Sequence, residues 1–120
     1  MQTILIVDDV RTDRELIGRV VTGAGHHPEY ASDGDEAILR AKELKPALIF
    51  MDVVMPGMNG FNACRKLKQD KDTGSIPLVL VTSKGSESDQ FWGKKQGADD
   101  HVAKPFTPEV LLNILRRYVR

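Results

Sequence analysis

Short β-branched runs alternate with amphipathic stretches along the whole chain, and this alternation constrains the fold more than any other feature. Residues 3–7 (TILIV), 27–31 (HPEYA), 47–51 (ALIFM), 77–81 (PLVLV) and 100–103 (DHVA) read as strands. Helical patterns lie between them. In the first, Leu16, Ile17, Val20 and Val21 share a face, Thr12 and Glu15 have capping-box spacing, and Gly23 and Gly25 stop the helix. In the second, Asp33 and Glu36 precede Ala37, Ile38, Ala41 and Leu44, and Pro46 follows the end. The third starts near Asn59 and buries Phe61, Cys64 and Leu67. The last opens on Thr107 and Pro108, an N-cap followed by proline at the first helical position, and buries Leu111, Leu112 and Leu115.

The fourth helix, residues 86–96, is the weak one. Gly93 in its interior costs about 1 kcal/mol relative to alanine, and Gly85 loosens its approach. Phe91 and Trp92 are adjacent, so they cannot both face the same way. Five strands alternating with five helices define an α/β chain with a parallel sheet covered by helices on both faces. At 120 residues, with no linker or repeat, residues 1–120 form one expected domain with no room for another.

Composition narrows the function. Lys and Arg total 17, as do Asp and Glu, so the formal charge is zero. A nucleic-acid binder would carry a basic excess or stripe, and none stands out, so no nucleic-acid partner is expected. Arg116, Arg117 and Arg120 sit at the end of a helix, where they favour its negative pole. The single cysteine, Cys64, reads as a small buried hydrophobe. The N-terminal ILIV run is too short for a signal peptide and nothing approaches transmembrane length, which gives the expectation of a cytoplasmic protein without membrane insertion.

The polar residues fall where the strands end. Strand one runs into Asp8 and Asp9, strand three into Asp52, strand four into Thr82 and Ser83, strand five into Lys104. Ligand crevices of open α/β sheets lie beyond the carboxyl ends of the strands, at the switch point of orders such as 2-1-3-4-5. That order makes strands one, three, four and five neighbours, and leaves strand two, ending in Ala31 and Ser32, as an edge that delivers no charge to the rim. Asp8, Asp9 and Asp52 would then converge. Like charges so close disfavour joint ionisation, a conflict that an oxygen-seeking cation such as Mg2+ resolves. An Asp-Asp pair after a strand is on its own a loop or cap acid; with Asp52 and Lys104 at matching strand ends, the metal reading is the better one. Lys104 is either a solvated charge or, pointed into the acidic rim, a neutraliser of a phosphoryl group. Thr82 either caps helix four or donates to a phosphoryl oxygen. The bond from Lys104 to Pro105 is a candidate cis peptide.

Together, Asp8-Asp9, Asp52 within MDVVMPGMNG, Thr82 and Lys104-Pro105 resemble the signature of the response-regulator receiver domains of two-component signalling, over the whole chain. The stretch WGKKQGADDHVAKPF is similar to stand-alone, CheY-like receivers of the chemotaxis-type systems that govern type IV pilus twitching motility. The resemblance implies a five-stranded flavodoxin-like sheet in the order 2-1-3-4-5. It implies that Asp52 is the phosphoacceptor, supplied by a histidine kinase or phosphotransfer protein. Asp9 would ligate Mg2+ directly, Asp8 directly or through water, and the Val54 carbonyl would be a further ligand. Lys104 and Thr82 would hold the acyl-phosphate oxygens. The implied protein is a signalling module that catalyses only its own phosphorylation and dephosphorylation. A downstream protein would read the face made by helix four, strand five and helix five.

His101 stands where the family often has Tyr or Phe, while Val54 and Lys84 occupy positions that tune dephosphorylation. Three other readings compete. A flavin protein of this topology would want a phosphate-cradling loop where VDDV stands. A Mg2+-dependent phosphohydrolase would place a second Asp where Val54 stands. A receiver fold used as an unphosphorylated docking module would not need the complete acceptor set.

Overall fold

The computed structural model describes residues 1–83 and 87–119. Its elements run β1 (Thr3–Val7), α1 (Arg11–Gly23), β2 (His27–Ala31), α2 (Gly34–Leu44), β3 (Leu48–Met51), α3 (Gly60–Gln69), β4 (Leu78–Thr82), α4 (Glu87–Lys95), β5 (Asp100–Ala103) and α5 (Pro108–Tyr118). The strands form one parallel sheet in the order β2-β1-β3-β4-β5, as the alternation and the rim chemistry require.

Successive side chains of a strand point to opposite faces, and here they sort into two cores. Leu5, Val7, Ile49, Met51, Leu78 and Leu80 pack against Ala37 and Ala41 of α2 and Ala63, Cys64 and Leu67 of α3. Ile4, Ile6, Leu48, Phe50, Val79, Val81 and Val102 pack against Ile17 and Val21 of α1 and Leu111, Ile114 and Leu115 of α5. Burial on both faces explains why β1, β3 and β4 carry almost no polar residue before their last position. The two cores fix the height of the strand ends, and therefore the level of the rim.

Three helix starts follow their sequence signals. Asp33 accepts from the Glu36 amide at 2.8 Å while the Glu36 carboxylate reaches back to the Ser32 amide at 2.6 Å. Asn59 accepts from the Asn62 amide at 2.9 Å, and Thr107 caps α5 ahead of Pro108. The start of α1 differs from expectation. Its N-cap is Val10, with no side-chain cap, and Thr12 lies inside the helix, so no Thr12–Glu15 box forms. The corner is held from the strand side instead. Asp8 Oδ1 accepts from the Val10 amide at 2.9 Å, and Arg14 donates to the Asp8 carbonyl at 2.7 Å. Leu16 is 48% exposed, because α1 meets the sheet along Ile17 and Val21 and along Gly18, which lies against the Tyr30 ring.

Gly93 also departs from its reading as a defect. It is the buried residue of α4, and a Cβ there would stand 2.8 Å from Leu80 Cδ1, so the glycine lets the helix sit on β4. The expected effect of Gly85 falls outside the described residues, as does Lys84. Phe91 and Trp92 are both exposed, at 62% and 52%. No helix among the described residues is long and apolar enough to cross a membrane.

Candidate functional site

The sheet ladder sets the rim. The Asp8 amide donates to the Ala31 carbonyl at 3.1 Å and the Asp52 amide to the Val7 carbonyl at 2.9 Å, so both acids leave the sheet at the same level. The Lys104 amide donates to the Thr82 carbonyl at 2.9 Å, extending the β4–β5 pairing by one step. The Lys104–Pro105 peptide is cis. Behind Asp52, α3 begins so close that a Cβ on Gly60 would stand 2.1 Å from the Asp52 carbonyl oxygen. The Gly60 amide donates to the Val53 carbonyl at 2.8 Å. Any larger residue would push the loop carrying Asp52 outward.

Asp8, Asp9 and Asp52 each offer a carboxylate oxygen within 4.8 Å of the others. Asp8 and Asp52 are buried, at 1% and 7% exposure, and Asp9 faces solvent. Lys104 reaches over them, with Nζ 2.7 Å from Asp8 Oδ2 and 3.7 Å from Asp52 Oδ2. Burial pushes the Asp52 carboxyl above its usual range. Lys104 works against that shift, the negative Asp8 adds to it, and the Val53 and Val54 amides oppose it. The Val53 amide donates to Asp52 Oδ1 at 2.8 Å. Lys104 is raised overall: burial would lower it, but hydrogen bonds to Asp8 and Asp13 and the charge of Asp52 outweigh that effect. A carboxylate cluster that carries more negative charge than one lysine can balance fits a hard divalent cation with oxygen ligands.

Thr82 is wholly buried as the last residue of β4, paired in register with Ala103. It belongs to the strand, and the capping alternative turns on residues 84–86, which lie outside the described residues. The Val54 side chain is 52% exposed. His101 is half-buried on β5, where burial lowers its pKa against the opposing charges of Asp100 and Asp89. A cavity of about 300 Å³ between α4, β5 and α5 is lined by Leu80, Gln90, Lys94, His101 and Arg117, among others. None of the rim acids lines it. Trp92 lies on the flank of α4 away from that cavity, beside Glu87, Ser88 and Phe91.

One rim residue has no sequence signal that singles it out. Asp13, on the first turn of α1, places Oδ2 3.0 Å from Lys104 Nζ. The separation of 91 residues hides this contact, and an acid in the first turn of a helix is already explained by the helix dipole.

Fold and rim together define an α/β module with an acidic crevice at its switch point, and the comparisons give its family. The chain matches the model of the response regulator receiver domain over residues 4–116 and belongs to that family. It is 42% identical over 115 residues to the protein PilH of Pseudomonas aeruginosa, covering 96% of this chain and 95% of that protein. It is also 38% identical over 119 residues to the DNA-binding response regulator MtrA of Mycolicibacterium smegmatis, of which it spans 51%. Among solved structures, chemotaxis protein CheY4 of Vibrio cholerae superposes with a TM-score of 0.93 at 33% identity, over 99% of both chains. The receiver domain of sensor histidine kinase PA1611 of Pseudomonas aeruginosa, with a magnesium ion coordinated in its active site cleft, gives 0.90 at 26% identity. That match covers 98% of this chain and 96% of the other. The protein is a receiver of two-component signalling, similar to PilH.

Proposed function

We propose that this receiver takes a phosphoryl group onto Asp52 in a Mg2+-dependent step and signals through contacts that depend on it. The observation that carries the proposal is the meeting of Asp8, Asp9 and Asp52 under the ammonium of Lys104. An Asp52 carboxylate oxygen attacks the phosphorus of a phosphohistidine on a histidine kinase or phosphotransfer protein. The P–N bond breaks, its electron pair stays with the imidazole, and an acyl phosphate forms. Mg2+, held by Asp8, Asp9, Asp52 and the Val54 carbonyl, would neutralise charge on the phosphoryl oxygens. Lys104 balances another oxygen, and the Thr82 hydroxyl donates to a third. Asp52 meets this task because its base is a rigid strand and its mouth is open to Asp9 and solvent.

The output surface in this reading is the α4–β5–α5 face. Thr82 and His101 lie on adjacent strands, and movement of Thr82 toward the phosphoryl group would alter the space beside the His101 ring. The WGKKQGADDHVAKPF stretch, with the likeness to PilH, supports a place in chemotaxis-type control of twitching motility in a cytoplasmic setting.

Acetyl phosphate with Mg2+ should add one phosphoryl group, read as a single mass increment, and Asp52→Asn should abolish it. An acid-stable label that persists in the variant would overturn the assignment. No label from acetyl phosphate or from any kinase of a panel would leave the fold as a docking module alone.

A further inference from the structure

We infer that Asp13 is a positioning residue that holds Lys104 partly away from the acceptor carboxylate in the unphosphorylated state. This inference rests on the phosphoacceptor reading above. Lys104 Nζ lies 2.7 Å from Asp8, 3.0 Å from Asp13 and 3.7 Å from Asp52, so its weakest contact is with the acceptor. An ammonium has three hydrogens, and two are directed to Asp8 and Asp13. Asp13 stands outside the group of three acids whose oxygens lie within metal-binding reach of one another. Its link to that group runs through Lys104.

A phosphoryl group on Asp52 brings new anionic oxygens to the mouth of the site, and Lys104 must then redirect a donor. The contact it can surrender most cheaply is the one to Asp13. That bond is longer than the bond to Asp8, and the Asp13 side chain is 32% exposed against 1% for Asp8, so water can replace the lysine there. Asp13 thus biases Lys104 toward α1 at rest and competes with the phosphoryl group for it.

Two consequences of opposite sign follow. Without Asp13, the lysine charge concentrates on Asp8 and Asp52, the acids that would bind Mg2+, so the resting protein should bind Mg2+ more weakly. Without that competitor, a phosphoryl-like anion should bind more tightly. A side chain with a merely structural role would weaken both.

The test measures Mg2+ affinity by titration with NMR detection. Beryllofluoride affinity is then measured at saturating Mg2+ in the wild type, Asp13→Asn and Asp13→Glu. Asp13→Asn should lose about 3-fold in Mg2+ affinity and gain about 3-fold for beryllofluoride, the scale of one partly exposed charge contact. Asp13→Glu, which keeps the carboxylate, should return both values toward wild type. In the wild type, the Asp13 carboxyl carbon shift should move when beryllofluoride is added to the Mg2+-loaded protein. Affinities that move together, or stay unchanged, in a folded Asp13→Asn overturn the role of Asp13 and leave the acceptor reading standing. A wild type that binds neither probe overturns both.

Discussion

Two lysines stand at opposite ends of the sheet, and their surroundings differ in one respect that separates structure from chemistry. Lys68, near the C-terminal end of α3, places Nζ 2.7 Å from the Ile76 carbonyl and 2.8 Å from Asp99 Oδ2. Asp99 Oδ2 also accepts from the Leu78 amide at 2.8 Å. One cation meets one anion, and the remaining donors and acceptors go to backbone that the loop into β4 would otherwise leave unpaired. Lys104, at the other end, meets Asp8, Asp13 and Asp52, with Asp9 alongside. Both lysines are mostly buried, at 15% and 18% side-chain exposure, so burial does not distinguish them. Charge balance does. The lower cluster is closed, while among the described residues the upper one sets four carboxylates against Lys104 and the Arg14 guanidinium on the Asp8 carbonyl, an excess of negative charge that a cation would neutralise.

The difference can be broken experimentally, and the largest effect should come from Lys104→Met. It removes the cation from the buried Asp8 and Asp52 and should cost about 3 kcal/mol in metal-free buffer. Mg2+ should recover much of that loss, and the variant should bind the ion more tightly than the wild type. Chemical denaturation with and without Mg2+ reads both; a loss that the metal leaves untouched would erase the contrast between the two ends.

Lys68→Met should be smaller, about 1–2 kcal/mol, because the Ile76 carbonyl loses its partner while Asp99 is open to water. Mg2+ should not recover it, and Mg2+ affinity should stay at the wild-type value. A change in metal affinity would mean that the ends of the sheet are coupled.

Asp52→Asn should go the other way and stabilise the metal-free protein, on the order of 1 kcal/mol, by removing a buried negative charge beside Asp8. The sign follows from the raised carboxyl. A native Asp that holds its proton more tightly than the unfolded chain weakens the fold at pH values above its native pKa. That penalty disappears as the pH falls below the ordinary carboxylate range. The advantage of the variant should therefore be present at pH 7 and vanish near pH 3. Equal stabilisation at both pH values would trace it to something other than charge.

The smallest structural effect concerns Cys64, which sits above the lower cluster with Sγ 3.6 Å from the Gln96 carbonyl. Burial pushes its thiol up to about 12, with Lys68 opposing the shift. Alkylation of the native protein at pH 8 should be at least 100-fold slower than in denaturant. Lys68→Met should speed it modestly by loosening the lower end, and Lys104→Met in Mg2+ should not.

Much of this was legible in the sequence because its signals are local or repeat along the chain. The β-branched runs of β1, β3 and β4, the Asp33 and Asn59 caps and the Thr107-Pro108 start each depend on a few neighbouring residues. At the start of α1 the same locality misleads. Thr12 and Glu15 have the spacing of a capping box, but Asp8, one strand end away, already bonds the corner. Gly93 reads as a weakness along the chain because its value lies in Leu80 of β4, on which the helix sits directly.

The sequence by itself determined the parallel α/β arrangement and the residue types that collect at the carboxyl ends of the strands, because strand period, helix period and chain direction fix those together. Only the tertiary structure decided how the charges share partners. Asp13 and Lys104 are far apart along the chain, and no periodicity relates them. That Lys104 leans toward Asp8 and Asp13 while standing 3.7 Å from Asp52 depends on where α1 docks against the β5–α5 turn. Coulomb energies change steeply over about an ångström at such separations, so that docking sets the balance of the site.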